Sequence, residues 1–345
     1  MQDHADVKIF TMTFELDTPL RPFALTRRTF MGSALLTAAS MAGAQGASWP
    51  TKTLRLVVGF PAGSSPDLTA RALAEPLGQA LGQSVIVENK VGAGGNIAAD
   101  LVAKATDQHT LGLMINGNMT IARILNPKVP YDPLRDLAPV SLIGTAPLVL
   151  AVPAQSPGAD AGQWLTQARA AGNTLSYASP GVGTVAHLGM ELLKSRTGLQ
   201  PVHVPYPGNP QVITAMISGQ VQMALLPPAL AMAQVRAGKL RAIGVTSSGR
   251  SALVPELPSL SSLGVKDFEL EIWNAVAAPA GWPAPIVSRV ASAVNAIVRG
   301  PEMRQRLFQQ GWQVVGASPE GLKNRIASDT RALGAIIRQQ NISVE

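Results

Sequence analysis

Short apolar segments alternate with longer amphipathic segments along most of the chain, and turn-forming residues separate them. The first apolar segment, residues 54–60, is almost continuously hydrophobic, which is typical of a strand buried on both faces of a parallel sheet. The residues that follow predict a helix that extends to about Leu81. Ser65 can cap this helix, Pro66 suits its first turn and Gly82 can end it. The alternation indicates an α/β fold built from open parallel sheets.

The same alternation continues to the last predicted helix. Further strands are predicted at residues 85–88, 110–115, 148–152, 175–178, 202–206, 221–226, 240–246 and 271–278. Further helices are predicted at residues 96–104, 185–196, 207–219, 285–299 and 320–340. Many turn formers in residues 126–139 predict a long loop there. We expect the last two helices to pack on the first of two lobes.

The N-terminal segment has the pattern of an export signal. In residues 1–47, Arg27-Arg28 precedes an uncharged stretch of small and apolar residues, and small residues at 42–47 suit signal peptidase. The apolar stretch is shorter than the roughly 20 residues that span a bilayer. We therefore expect a twin-arginine leader and a periplasmic location, with no membrane insertion of the mature chain. The expected lobes are residues 48–149 together with 273–345, and residues 150–272.

Composition excludes several classes of site. The chain has no cysteine, which excludes disulfides, cysteine metal sites and a thiol nucleophile. The formal net charge is +7, but Lys and Arg are scattered and aromatic residues are few. Nucleic-acid binding is therefore not expected, because it needs a basic patch, commonly with aromatic groups that stack on bases. A mild positive field suits small anions instead.

The motifs of common enzyme classes are absent from the sequence. There is no G-x-S-x-G nucleophile elbow, no P-loop and no dinucleotide-binding glycine fingerprint. His109, His187 and His203 are not at metal-ligand spacing with one another. We therefore expect no enzymatic activity, no cofactor and no metal.

Two similar junctions between a strand and a helix carry the candidate chemistry. They are residues 60–67 and residues 179–187, and in each a buried strand ends in a glycine-containing turn before a helix. Backbone N–H groups and a helix N-terminus would meet at such a turn, and this geometry binds a carboxylate without a full positive charge. We expect backbone atoms of Gly63, Ser64 and the glycines of the second turn to supply most of the anchoring.

The candidate ligand-binding residues come from both junctions and from the neighbouring strands. From the first junction they are Phe60, Ala62, Gly63, Ser64 and Asp67. From the second junction they are Ser179, Gly181, Val182, Gly183, Thr184 and His187. From other segments they are Asn116, Asn118, Tyr206 and Trp273. Four of these have structural alternatives: Asp67 as a helix-start stabiliser, His187 as an ordinary hydrogen-bonded residue, and Tyr206 and Trp273 as packing groups at the lobe boundary.

Several distinctive motifs are spread over residues 49–341. They include Trp49-Pro50 through Phe60-Pro61-Ala62-Gly63, Val87-Glu88-Asn89-Lys90, Pro130-Tyr131-Asp132-Pro133, Tyr177-Ala178-Ser179-Pro180-Gly181 and Ala278-Pro279-Ala280-Gly281. Together these motifs resemble those of Bug-type solute receptors of tripartite tricarboxylate transporters. The resemblance implies a two-lobe periplasmic-binding-protein fold, type II-like, with a discontinuous first lobe. It also implies a central cleft in which both junctions, partly through ordered water, hold a small carboxylate. Membrane permease subunits, or a sensor in some cases, would be the partner.

The sequence departs from the family pattern at positions near the expected cleft. Gly63-Ser64 replaces a double glycine, Val182 replaces an asparagine, and Gln222 replaces an acidic residue. These changes predict a less polar pocket, and we expect a monocarboxylate with an apolar or aromatic body rather than an amino acid. Two alternatives to transport remain: a receptor that reports the ligand to a signalling partner, and an enzyme on the same fold.

Overall fold

Two mixed β-sheets form the framework of the protein in residues 49–342, which are the residues that a computed structural model describes. The strands of the first sheet are β1 Leu54–Val58, β2 Val85–Asn89, β3 Thr110–Ile115, β4 Leu137–Pro147, β10 Glu271–Pro279 and β11 Gln313–Val314. Their order is β11–β4–β10–β3–β1–β2. The expected export signal at residues 1–47 lies outside the described residues.

The second sheet contains the strands that lie between β4 and β10 along the chain. They are β5 Val149–Pro153, β6 Ser176–Ser179, β7 Val202–Pro205, β8 Met223–Leu226 and β9 Leu240–Val245, in the order β7–β6–β8–β5–β9. The chain therefore crosses between the sheets twice, after β4 and before β10. We call the first sheet with the helices packed on it the first lobe, and the second sheet with its helices the second lobe.

Helices cover the faces of both sheets. The first group is α1 Ser65–Leu81, α2 Asn96–Ala103, α3 Asn116–Thr120 and α4 Ala122–Leu125. The second group is α5 Ala161–Ala170, α6 Val185–Thr197, α7 Asn209–Ile217 and α8 Pro228–Arg236. The C-terminal group is α9 Ala284–Arg299, α10 Pro301–Gln309 and α11 Pro319–Gln339. None of these helices in residues 49–342 combines the length and the apolarity that crossing a membrane requires.

The helix predicted after the first strand is confirmed. It runs from Ser65 to Leu81, with Pro66 in its first turn and Gly82 in the left-handed conformation after its last turn. Ser64 rather than Ser65 occupies the N-cap position, and its side chain forms no capping bond to the helix. The hydroxyl instead bonds the preceding turn, so this serine shapes the loop rather than the helix end.

The long loop predicted at residues 126–139 is shorter than expected. Strand β4 begins at Leu137 and continues to Pro147, with antiparallel partners β10 on one side and β11 on the other. Turn formers such as Pro139 obscure the start of this strand in the sequence. Pairing with β10 over nearly its whole length holds it extended, which is tertiary context overriding local propensity.

The expected α/β sheets are present, and each contains antiparallel as well as parallel pairs. β1 pairs in parallel with β2 and β3, and β6 pairs in parallel with β7 and β8. By contrast, β10 is antiparallel to β3 and β4, and β5 is antiparallel to β8 and β9. The antiparallel strands flank the crossings: β10 returns from the second lobe and therefore runs opposite to β3, which ends towards that lobe.

The last helix was expected to pack on the first lobe. In the structure it packs on both lobes. Leu322 and Ile326, near its start, lie in a hydrophobic cluster with strands β4 and β10. Leu333 and Ile337, near its end, lie in a cluster with residues of the second sheet and helix α6. Helix α11 therefore joins the cores of both lobes.

Candidate ligand-binding site

A cavity lies between the two lobes where four helices begin. It is lined by the first residues of α1, α6 and α7 and by Pro227, which immediately precedes α8. Phe60, Trp273 and Trp312 form apolar parts of its wall. About 480 Å³ of space lies among the lining atoms, a volume that includes space open to solvent. The polar side chains around it, apart from the two indoles, are Ser64, Ser65, Asn116, Thr184, Asn209 and Asn274.

Every side chain that lines this cavity is uncharged. Negative charge placed there would therefore be stabilised by backbone dipoles and neutral hydrogen-bond donors. Each helix N-terminus contributes about 0.3–1 kcal/mol to such an interaction, and more where water is excluded. In residues 49–342, no group of three His, Cys, Asp or Glu side chains is placed to hold a metal ion.

The first junction holds its own shape by internal hydrogen bonds. Gly63 N–H donates to Asp67 Oδ2 at 2.9 Å. Ser64 donates twice to the Pro61 carbonyl oxygen, from its N–H at 3.1 Å and from its hydroxyl at 2.6 Å. The donors of Gly63 and Ser64, which the sequence analysis expected to anchor a ligand, are therefore already bonded within the loop.

Asp67 holds the first junction in its conformation through hydrogen bonds. Its carboxylate accepts from Gly63 N–H, from Arg71 Nε and from Asn89 Nδ2, and Asn89 also donates to the Phe60 carbonyl. Burial raises the pKa of Asp67, but the hydrogen bonds from Arg71, Asn89 and Gly63 outweigh it and hold the pKa below the usual value of 3.8. Asp67 is 1% exposed and does not line the cavity, which agrees with the structural alternative.

The second junction is bonded internally in the same way. Thr184 donates to the Gly181 carbonyl from its N–H at 3.3 Å and from its hydroxyl at 2.8 Å. Gly181 N–H donates to Ser179 Oγ at 3.3 Å, and Gly183 N–H donates to His187 Nδ1 at 3.4 Å. These N–H groups are also unavailable to a ligand in this arrangement.

A stack of three rings supports the second junction. His203 lies between Tyr177 and His187, with ring centroids 4.7 Å and 4.4 Å apart, and its Nε2 is 2.7 Å from Ser179 Oγ. Burial lowers the pKa of both histidines to about 4, with Glu191 opposing the shift. Burial and a hydrogen bond to Glu191 raise the pKa of Tyr177 above its usual value. The rings are therefore neutral at neutral pH.

The free donors are N–H groups in the first two residues of three helices. The N–H groups of Ser65, Val185, Ala186 and Asn209 donate to no other group in residues 49–342, and all four residues line the cavity. The first N–H groups of a helix have no partner within it, and the turns before α1 and α6 leave them unbonded. Trp312 Nε1 is buried there without a partner as well.

The structure brings some of the candidate residues together and separates others. Those that line the cavity are Phe60, Ser64, Asn116, Thr184 and Trp273. Those that line a second, larger opening between the lobes are Asn118, Gly181, Val182, Gly183 and Tyr206. Those that line neither are Ala62, Gly63, Asp67, Ser179 and His187.

Two asparagines at the cavity were missed by sequence reasoning. Asn209 begins helix α7 after strand β7, so the junction at 205–209 repeats the arrangement of the first two and could have been recognised from the sequence. Asn274 lies within strand β10 beside Trp273, and its position opposite Ile115 depends on long-range pairing. No local pattern in the sequence marks it.

Two α/β lobes with a cavity at the helix N-termini define a two-lobe solute-binding fold, and solved structures agree. The periplasmic binding protein BugD matches with a TM-score of 0.82 and 28% identity, covering 86% of this chain and all of BugD. The R. palustris protein Rpa4515 with adipate matches with a TM-score of 0.83 and 29% identity, over 86% of this chain and 99% of that one. The expected two-lobe periplasmic-binding-protein fold is confirmed.

A further structure is MatC from Rhodopseudomonas palustris with bound malate, which matches with a TM-score of 0.79 and 30% identity. It covers 84% of this chain and all of MatC. The family model for the tripartite tricarboxylate transporter family receptor matches residues 69–342. The chain belongs to this receptor family, and the resemblance to Bug-type receptors is confirmed.

Proposed function

We propose that this chain is a periplasmic receptor that captures a small carboxylate between its lobes and delivers it to a tripartite tricarboxylate-type permease. The single observation that carries the proposal is the set of unbonded donors at an uncharged cavity: the N–H groups of Ser65, Val185, Ala186 and Asn209. These groups come from three different helices. A carboxylate accepts several such bonds at once, and the helix dipoles favour its charge.

The contacts between the lobes support capture by closure. A Cβ on Gly94 would lie 2.6 Å from the Val182 carbonyl oxygen, and a Cβ on Gly208 would lie 2.6 Å from the Pro61 ring. Each pair joins one lobe to the other, so the lobes are in close contact at both points. A ligand held in the cavity would be shielded from water, which strengthens its hydrogen bonds to the protein.

The known ligands of related structures fit this chemistry. One neighbour was solved with adipate and another with malate, and both compounds are small carboxylates. Adipate and malate each carry two carboxylates, whereas the cavity of this chain combines its free N–H donors with apolar wall residues, and on that ground we propose a monocarboxylate with an apolar body. Delivery to a permease is proposed from the family to which the chain belongs.

Binding to the purified mature protein tests the proposal. Small molecules released from freshly purified protein would be identified by mass spectrometry, and isothermal titration would then compare carboxylates with their matched neutral amides, such as benzoate with benzamide. We expect micromolar binding of at least one carboxylate and at least about tenfold weaker binding of its amide, because a charge-assisted hydrogen bond is about twice as strong as a neutral one. Equal binding of acid and amide would contradict anion capture.

Delivery requires a separate measurement. Uptake of the labelled ligand by cells with and without this chain would show whether a permease depends on it. Normal uptake without the chain, together with tight binding in vitro, would favour the signalling alternative.

A further inference from the structure

Three asparagines at the cavity carry amide oxygens that have no hydrogen-bond partner. They are Asn116, Asn209 and Asn274, and each Oδ1 atom is buried without a partner in residues 49–342. The three side chains are 1%, 5% and 1% exposed. A buried acceptor left unbonded is unfavourable, so three unbonded acceptors around one cavity call for a donor.

The orientation of two of these amides is fixed by what their nitrogen atoms bond. Asn116 Nδ2 donates to the Glu271 carbonyl at 2.9 Å, and a carbonyl can only accept. Asn274 Nδ2 is 2.9 Å from Thr69 Oγ1, and the Thr69 hydroxyl already donates to the Ser65 carbonyl. Exchanging oxygen and nitrogen in either amide would place two acceptors together, so the oxygen is the free atom in both.

These two oxygens belong to residues that lie close together in the first lobe, where β3 ends beside β10. Asn274 in β10 pairs with Ile115, the last residue of β3, and Asn116 directly follows Ile115. Both residues line the cavity together with the free N–H groups of the second lobe. Three of the four free N–H donors therefore come from the second lobe, and these two oriented acceptors come from the first.

The surroundings distinguish between possible donor groups. An ammonium group would approach the N-termini of helices α1, α6 and α7, whose dipoles repel positive charge, and no carboxylate lines the cavity to offset that repulsion. A hydroxyl group carries no charge and donates one hydrogen bond to an amide oxygen. A ligand hydroxyl therefore fits this cavity better than an ammonium group.

Building on the proposed function, we infer that the ligand is a hydroxycarboxylate whose hydroxyl donates to Asn116 Oδ1 or Asn274 Oδ1. The carboxylate lies at the helix N-termini, and the hydroxyl lies where β3 ends beside β10. Both lobes thus recognise the same molecule through different groups, and a ligand without the hydroxyl leaves the asparagine oxygens unbonded.

Matched sets of ligands test this inference on the unsubstituted protein. Each set holds a hydroxy acid, its deoxy acid and its amino acid: mandelate, phenylacetate and phenylglycine; lactate, propionate and alanine; malate, succinate and aspartate. Affinities come from isothermal titration. In the sets that bind, we expect the hydroxy acid to bind at least about tenfold more tightly than both counterparts, since a site built for a hydroxyl rejects the analogue that lacks it.

A substitution then assigns the effect to the asparagines. In Asn274→Ala or Asn116→Ala, we expect the affinity for the hydroxy acid to fall more than the affinity for the deoxy acid, so that the ratio of the two affinities falls several-fold. Asn324→Ala is the matched control, because Asn324 is exposed on helix α11. This comparison uses the ratio of two ligands on one protein, so a general loss of stability does not imitate the result.

The outcomes separate this inference from the proposed function. If carboxylates bind but deoxy acids or amino acids bind as tightly as the hydroxy acids, the inference is overturned and the carboxylate receptor stands. If the preference exists but survives both substitutions unchanged, the assignment to the asparagines is overturned. If no carboxylate binds, both the proposed function and the inference fall.

Discussion

Gly117 in the first lobe lies against Gly183 in the second, so closely that a Cβ at residue 117 would be 2.6 Å from the Gly183 carbonyl oxygen. Real Cβ atoms essentially never approach an oxygen this closely. Gly117 is in helix α3 and its φ lies outside the left-handed range, so a methyl group there would be obstructed chiefly by the Gly183 carbonyl of the opposite lobe. Contact between the lobes at this point therefore depends on the absence of a side chain.

Gly117→Ala is expected to hold the lobes apart while leaving the fold intact. Because binding energy must then overcome the clash, carboxylate affinity should fall by about tenfold or more. Titration calorimetry measures the affinity, and small-angle scattering measures whether ligand still compacts the protein. Gly281→Ala is the control, because a Cβ there has no neighbour within 4 Å. Full affinity in Gly117→Ala would show that this contact is not needed for capture.

Val185→Pro is expected to remove one free donor without disturbing helix α6. Proline is tolerated in the first turn of a helix, and Thr184 before it is already extended, with φ −78° and ψ 155°. Since the Val185 N–H bonds nothing else in residues 49–342, its loss should weaken carboxylate binding by about tenfold. Val185→Ala trims the same side chain but retains the N–H, and it should bind nearly as well as the original protein. Equal losses in both variants would assign the effect to packing.

Asp67→Asn is expected to destabilise the first junction. The Asp67 carboxylate is 1% exposed and accepts hydrogen bonds from Gly63, Arg71 and Asn89, so weakening them should lower the free energy of unfolding by about 1–3 kcal/mol. Urea denaturation measures this change. Arg71→Ala should cost less than about 1 kcal/mol, because the Arg71 side chain is 50% exposed. A larger cost for Arg71→Ala than for Asp67→Asn would contradict the role given to Asp67.

Stability should fall as the pH drops from 7 to 5. His187 and His203 have pKa values of about 4 in the folded protein, below their usual value of 6.5, so the unfolded chain binds protons first. The stability that depends on these two neutral histidines is fully present above pH 6.5 and is lost as the pH falls towards 4. Glu191, which faces both rings, opposes the shift, and Lys194 adds to it.

Thermal unfolding between pH 7 and pH 5 measures this effect, with an expected fall in Tm of several degrees. The window lies above the pKa range of ordinary carboxylates, so the histidines dominate it. The double variant His187→Gln, His203→Gln should show a flatter profile. An unchanged slope in that variant would rule out the histidines as its source.

The sequence by itself determined the local elements and the kind of chemistry. The buried run in β1, Pro66 and Gly82 define the first strand and helix through near-neighbour preferences, which need no distant partner. The sequence has no cysteine and no charged motif, which indicated that uncharged groups of the protein bind the ligand. Both junctions were recognisable because turn and helix-start residues act over a few positions.

The tertiary structure decided which groups of those junctions face a ligand. The Gly63 N–H is bonded to Asp67, and the Gly183 N–H is bonded to His187. These bonds depend on how each loop packs against the helix that follows it. Asn274 reaches the cavity because β10 returns from the second lobe to pair with β3. Such pairing joins residues far apart along the chain, and no local pattern records it. The sequence indicates that N–H donors lie at the helix starts. The folded conformation of each loop determines which of these donors stay unbonded.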